Sequence, residues 1–203
     1  MRDALAAAGV VGVQDFGRFV NNTQYFAPAK FDERAAAPVL MKLLPELEDG
    51  RVVRTVARHL IGPWLKRHPD AYDCLRDAYL RWAPSKDETG WVLGDALSRA
   101  ADRSRADDLL SLAMITDHGM ARAFIVDALW RFKGSCDVEG PLRQLIGDSS
   151  VVRMALTSLQ RTVGAEAMVP IVERLRAESP DADVRAAAED RLRRLRRKLT
   201  RRT

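Results

Sequence analysis

The chain has 203 residues, 47% hydrophobic and 30% charged, a balance that can bury a core and excludes a wholly disordered polypeptide. No apolar run approaches the roughly 18 residues of a membrane-spanning helix, and two cysteines, Cys74 and Cys136, cannot make a disulfide framework. The net charge of +5 is localised: residues 191–203, RLRRLRRKLTRRT, carry +8, while the rest of the chain, with 25 basic and 28 acidic side chains, carries −3.

The first 34 residues stand apart. Met1-Arg2-Asp3 followed by ALAAAGVVGV is too weakly basic for a secretion signal, so a cytoplasmic location is expected by default. Phe16, Phe19 and Val20 fall at i, i+3 and i+4, and with Tyr25, Phe26 and Phe31 they form an aromatic-rich segment, predicted to cap the fold that follows.

From residue 35 helical patterns alternate with turns. Five segments, Ala35–Leu47, Ala71–Ala83, Arg105–Ile115, Val138–Ile146 and Ala165–Ala177, each precede a second helical pattern. The second patterns align as DGRVVRTVARHL from Asp49, DETGWVLGDAL from Asp87, DHGMARAFIVDAL from Asp117, DSSVVRMALTSL from Asp148 and DADVRAAAEDRL from Asp181. Each begins with Asp, and four carry an anchor arginine: Arg54, Arg122, Arg153 and Arg185. Trp91 takes the anchor place in the copy from Asp87. Pro38, Pro141 and Pro170 sit in the first helices. Ser85 with Glu88 fits a capping box, and Ser179 with Pro180 fits an N-cap followed by Pro. Sustained period-2 alternation is missing, so the expected class is all-α.

Repeats of near 31 residues built from helix pairs imply an α-solenoid. The chain resembles HEAT-repeat proteins of the bacterial short-period kind, through the Asp-x-x-Val-Arg start best seen at Asp181, Val184 and Arg185 and through the prolines of the first helices. The resemblance implies a solenoid of about five HEAT-like pairs over 35–199 (35–66, 70–101, 104–133, 138–163 and 165–199), a cap segment at 1–34 and a basic tail end at 200–203. It also implies an Asp–Arg ladder between neighbouring repeats, interrupted at Trp91.

Catalytic motifs are missing. The sequence holds no Gly-rich phosphate loop, HExxH or GxSxG. His59, His68 and His118 lack metal-ligand spacing and are expected to be solvated; no cofactor or metal is expected. The cysteines are expected to be buried or half-buried small hydrophobes. Trp91 and Asp95, at i and i+4, are similar to the Trp/Asp arrangement of HEAT-like alkylpurine DNA glycosylases, in which the Asp serves catalysis. HEAT-like phycobilin lyases are a further family-level analogue, without a cofactor motif here.

A HEAT array lines its concave face with second helices. With the core taking positions −1, +3 and +6/+7 from the anchor, the groove is expected at +1, +4, +5 and +8. Those registers place Arg58, His59, Gly62, Asp95, Ala96, Arg99, Val126, Asp127, Trp130, Thr157, Ser158, Arg161, Glu189, Asp190 and Arg193 toward the groove. The candidate partner-binding residues are Arg58, Asp95, Arg99, Asp127, Trp130, Thr157, Arg161 and Glu189. Mixed charge with one large aromatic suits a protein or peptide partner; the alternative is a solvated face with Trp130 folded onto a neighbour. The last helix carries Leu192, Leu195 and Leu199 on one stripe. Around it, Arg193, Arg194, Arg197, Lys198, Arg201 and Arg202 form a candidate polyanion-binding tail, for nucleic acid or an acidic partner, or simply the wet side of a terminal helix. The expected function is therefore a non-catalytic scaffold binding a protein on its concave face, with nucleic-acid binding or glycosylase chemistry as the alternative.

Overall fold

Short acceptor side chains fix where helices begin. Asp32 accepts a hydrogen bond from the Ala35 amide at 3.0 Å, and Asp49 accepts one from the Arg51 amide at 2.7 Å. A cap of this kind is worth about 1 kcal/mol. Asp87 does the same for Thr89 at 2.7 Å, and Asp181 for Asp183 and Val184 at 2.8 and 3.1 Å. Both serine caps read from the sequence are thus corrected. The Ser85 hydroxyl turns back to donate to the Trp82 carbonyl at 2.7 Å, and the Ser179 hydroxyl only accepts from the Asp181 amide at 3.3 Å. In both cases an aspartate nearer the helix wins, because its charged carboxylate is the stronger acceptor for orphan amides.

The computed structural model describes residues 1–13, 31–85 and 87–200, which are helix, turn and coil with no strand among them. The class is all-α. The helices are α1 (Arg2–Ala7), α2 (Glu33–Leu43), α3 (Gly50–His59), α4 (Ala71–Trp82), α5 (Glu88–Ala100), α6 (Ala106–Ala113), α7 (Ala123–Ala128), α8 (Glu139–Leu145), α9 (Val152–Val163), α10 (Ala165–Glu178) and α11 (Ala182–Thr200). The expected second helix after Asp117 is largely replaced by 3-10 turns over Thr116–Arg122 and Leu129–Phe132. The cause is Gly119, whose φ of 50° takes the chain out of helical geometry. Phe16, Phe19, Val20, Tyr25, Phe26, Arg201 and Arg202 lie outside the described residues.

The chain divides into two units, residues 1–101 and 102–203. In the first, α5 packs on both α3 and α4, and α2 touches α3 and α4. Its core is Leu40, Val53, Val56, Leu75, Tyr79, Leu93 and Leu97, all fully buried. Phe31, from the proposed cap segment, is also buried and meets the His59 ring edge-on at 4.8 Å. In the second unit α9 is central: α7, α8, α10 and α11 all pack against it, and α10 and α11 pack together. Leu142, Leu156, Leu159, Val172, Leu192 and Leu195 form that core. Each such side chain contributes roughly 1.5–3 kcal/mol by leaving water.

The core register holds in every second helix. Positions −1 and +3 are buried throughout: Val53 and Ala57, Gly90 and Gly94, Ala121 and Ile125, Val152 and Leu156, Val184 and Ala188. The groove register holds less well. Position +5 is buried at His59, Ala96 and Ser158, not open, because a helix pressed on two sides has an apolar arc wider than one stripe. The solvated reading of the histidines is corrected with it: His59 is fully buried with Nδ1 3.2 Å from Glu33, and His118 is buried. Burial, and then the Arg122 guanidinium, hold His118 below the usual histidine pKa, against the opposing pull of Asp117.

Among the described residues one anchor arginine, Arg122, meets the starting aspartate of the next repeat. Arg122, fully buried, donates to Asp148, to the Ser150 hydroxyl at 3.1 Å and to the carbonyls of Ala113 and Gly119 at 2.8 and 3.1 Å. The other anchors choose different partners. Arg54 pairs with Glu88 at 3.0 Å, Arg153 with Asp190 at 3.4 Å, and Arg185 donates to the carbonyls of Ser179 and Pro180. Asp49, Asp87 and Asp181 accept the amides at their own helix starts, and these three arginines take other acceptors.

Candidate functional site: an arginine cluster beside Trp130

Residues 153, 157, 160 and 161 of α9 recur at helical spacing and form a polar stripe toward α11. On α11 the answering residues are Asp190, Arg191 and Arg194. Arg191 makes the junction. Its guanidinium donates to the Thr157 hydroxyl, to the Gln160 amide oxygen at 3.2 Å and to the Arg153 carbonyl at 3.4 Å. Burial first, then the neighbouring Arg194 and Arg161, disfavour charge on Arg191, and Asp127 opposes them. The Arg161 and Arg194 guanidiniums thus act against Arg191, and the Asp127 carboxylate acts for it.

Trp130 forms the floor on the α7 side. Its backbone amide donates to the buried Ser158 hydroxyl at 3.0 Å, which ties the 3-10 turn after α7 to α9. The Arg161 guanidinium lies over its ring, 5.0 Å from the centroid. Trp130 is half-exposed, so it is neither free nor fully folded away.

Beyond Arg191 the cations of α11 fall into two classes. Arg193 pairs with Asp190, and Arg196 pairs with Glu173 at 3.1 Å. Arg194, Arg197 and Lys198 are exposed and have no carboxylate partner among the described residues, and neither has Arg161. Leu192 and Leu195 are buried and Leu199 is half-buried, so the apolar stripe is used as expected.

Of the expected groove residues, Arg161 lies over Trp130 and Thr157 accepts from Arg191, on which Asp127 and the tail residue Arg194 act electrostatically. Glu189 is drawn aside by Arg176 at 3.0 Å. Arg58, Asp95 and Arg99 belong to the first unit. There Asp95 accepts from Arg99 at 2.8 Å, and Arg58 is half-buried on α3. Sequence reasoning missed Arg191 and Gln160 as members of the cluster. Arg153, Thr157, Gln160 and Arg161, polar residues at helical spacing on one side of α9, were the available signal.

A concavity of about 750 Å³ lies in the same unit, lined by Ile146, Pro170, Ile171 and Leu175 together with Arg143, Arg174 and Glu178. Arg143 is already paired with Glu139 at 2.7 Å. Among the described residues no group of three or more His, Cys, Asp or Glu side chains is placed to hold a metal, and no helix is long and apolar enough to cross a membrane. Cys74 and Cys136 are half-buried free thiols, as expected.

No protein-family model, curated protein or solved structure matches this chain. The functional reading therefore rests on the chain's own residues.

Proposed function

We propose that the chain is a non-catalytic, cytoplasmic HEAT-like scaffold whose helix pairs stack as an α-solenoid and whose second helices hold a protein partner. The observation that carries this reading is the Trp130–Arg161 pair, with Arg191 and Arg194 beside it. Aromatic and arginine side chains in one partly desolvated patch are what protein interfaces use as anchors. The glycosylase alternative has less support, since the Asp95 carboxylate is engaged by Arg99 at 2.8 Å.

A photo-crosslinking residue placed at position 130, with Glu166 on the exposed side of α10 as the control position, tests the reading in cells that make the protein. The expected result is a protein adduct from position 130 that position 166 does not give. Equal adducts from both positions, or none from 130, would contradict it.

A further inference from the structure

We infer that the segment held at the Trp130 face is a short acidic helix carrying glutamates four residues apart, an inference that rests on the scaffold reading above. Charge supplies the first argument. Arg191 reaches α9 beside Arg161, donating to Gln160 at 3.2 Å, and Arg194 follows one turn later on α11, so Arg161 and Arg194 both weigh against charge on Arg191 while Asp127 opposes them. Neighbouring like charges are unfavourable until an anion joins them. Farther along α11, Arg197 and Lys198 add two more exposed cations without a carboxylate partner among the described residues.

Geometry supplies the second. Arg194 and Lys198 are one turn apart on α11, about 6 Å along the axis. Glutamates at i and i+4 on a helix lying alongside have the same spacing. Guanidinium forks match carboxylates in a bidentate manner, and the ring of Trp130 already holds Arg161 in place, so little rotamer freedom is lost on binding.

Two features favour polypeptide over nucleic acid. Trp130 has a ring face covered by Arg161, which removes the stacking platform that single strands use. Asp127 and Asp190 lie beside these cations; a phosphate backbone, charged at each residue, is repelled by them, whereas a helix can set uncharged residues against them.

The test is fluorescence anisotropy with the full chain at low salt. The probes are a labelled alanine-based helical peptide with glutamates four apart, the same peptide with glutamine in their place, a mixed-sequence DNA single strand and its duplex. The glutamate peptide is expected to bind more tightly than the other three. The double variant Arg161→Gln/Arg194→Gln should weaken it about a hundredfold, near tenfold per guanidinium fork. Arg176→Gln, whose partner is Glu189, should change it less than about twofold. If the double variant melts early, Arg197→Gln/Lys198→Gln replaces it, with an expected loss of about threefold. Equal binding of the glutamate and glutamine peptides, or binding indifferent to both double variants, overturns the inference. Tighter binding of either DNA overturns it and the scaffold reading together. Failure of every probe, with crosslinking at position 130 intact, removes only the acidic character of the partner.

Discussion

Arg122 and Asp148, 26 residues apart, form an ion pair in which a fully buried guanidinium is answered by an aspartate in the turn before α9. Asp148 also receives the Ser150 amide at 2.9 Å and the Ser150 hydroxyl at 2.6 Å. The pair therefore joins the turn before α7 to the turn before α9. Removing the carboxylate leaves a buried cation with only neutral partners, which costs about 3–5 kcal/mol. Removing the cation leaves a carboxylate that keeps Ser150 and partial contact with water. Urea unfolding should rank Asp148→Ala as more damaging than Arg122→Met; the reverse order would show that packing of the arginine stem, not charge, dominates.

The same carboxylate gives a pH dependence. Burial alone would push Asp148 up, but the Ser150 hydroxyl and the Arg122 guanidinium outweigh it and hold its pKa below the usual value. A depressed folded-state pKa contributes stability that is present above the unfolded value near 4 and is lost as pH falls through the folded value. The urea midpoint should be flat near neutrality and decline below about pH 4, and Asp148→Asn should flatten that decline. An Asp148→Asn curve parallel to the wild type over this range would exclude the pair as its source.

Thiol reactivity tests the packing of the first unit. Cys74 is pushed up to about 11, by burial first and then by Asp77 and Asp70, and its thiol donates to the Met41 carbonyl at 3.3 Å. At pH 8 only about one thiol in a thousand would be ionised. Labelling of Cys74 by an aromatic disulfide should be slow in the folded protein and fast in urea. Rapid labelling in the native state would mean that α4 does not lie against the end of α2 as described.

Gly62 makes a steric prediction. A Cβ there would meet Trp64 ring carbons at 2.1–2.4 Å. Gly62→Ala should destabilise by roughly 1–3 kcal/mol, the usual cost of overpacking, whereas Gly134→Ala, which meets nothing within 4 Å, should be near neutral. Equal melting temperatures for the two variants would contradict the placement of the Trp64 ring.

Much of this architecture is legible in the sequence, because it depends on local rules. Aspartate starts located α3, α5 and α11, whereas α7 and α9 begin several residues beyond Asp117 and Asp148; the −1 and +3 positions fell in the core at each anchor. The misses have a common physical origin. Whether an aspartate caps a backbone or pairs with an arginine is decided by which donor arrives at the right distance, and Arg54, Arg153 and Arg185 all found partners other than the expected ones. Gly119 gives no sequence signal that distinguishes a turn glycine from one that breaks a helix. Nor could the sequence show that Arg191 turns inward to Thr157 and Gln160 while Arg194 stays out, since both are arginines on one helix, three residues apart.

The central claim, that the Trp130 face takes an acidic polypeptide, is most directly tested by nuclear magnetic resonance of the tryptophan indole N–H groups during titration with the glutamate peptide. The chain holds four tryptophans, Trp64, Trp82, Trp91 and Trp130, so each side chain gives its own signal. The account predicts that the Trp130 signal moves progressively and saturates while those of Trp64, Trp82 and Trp91 stay in place, and that Arg161→Gln/Arg194→Gln abolishes the movement. A stationary Trp130 signal at saturating peptide, or equal shifts at Trp82 and Trp91, would contradict it.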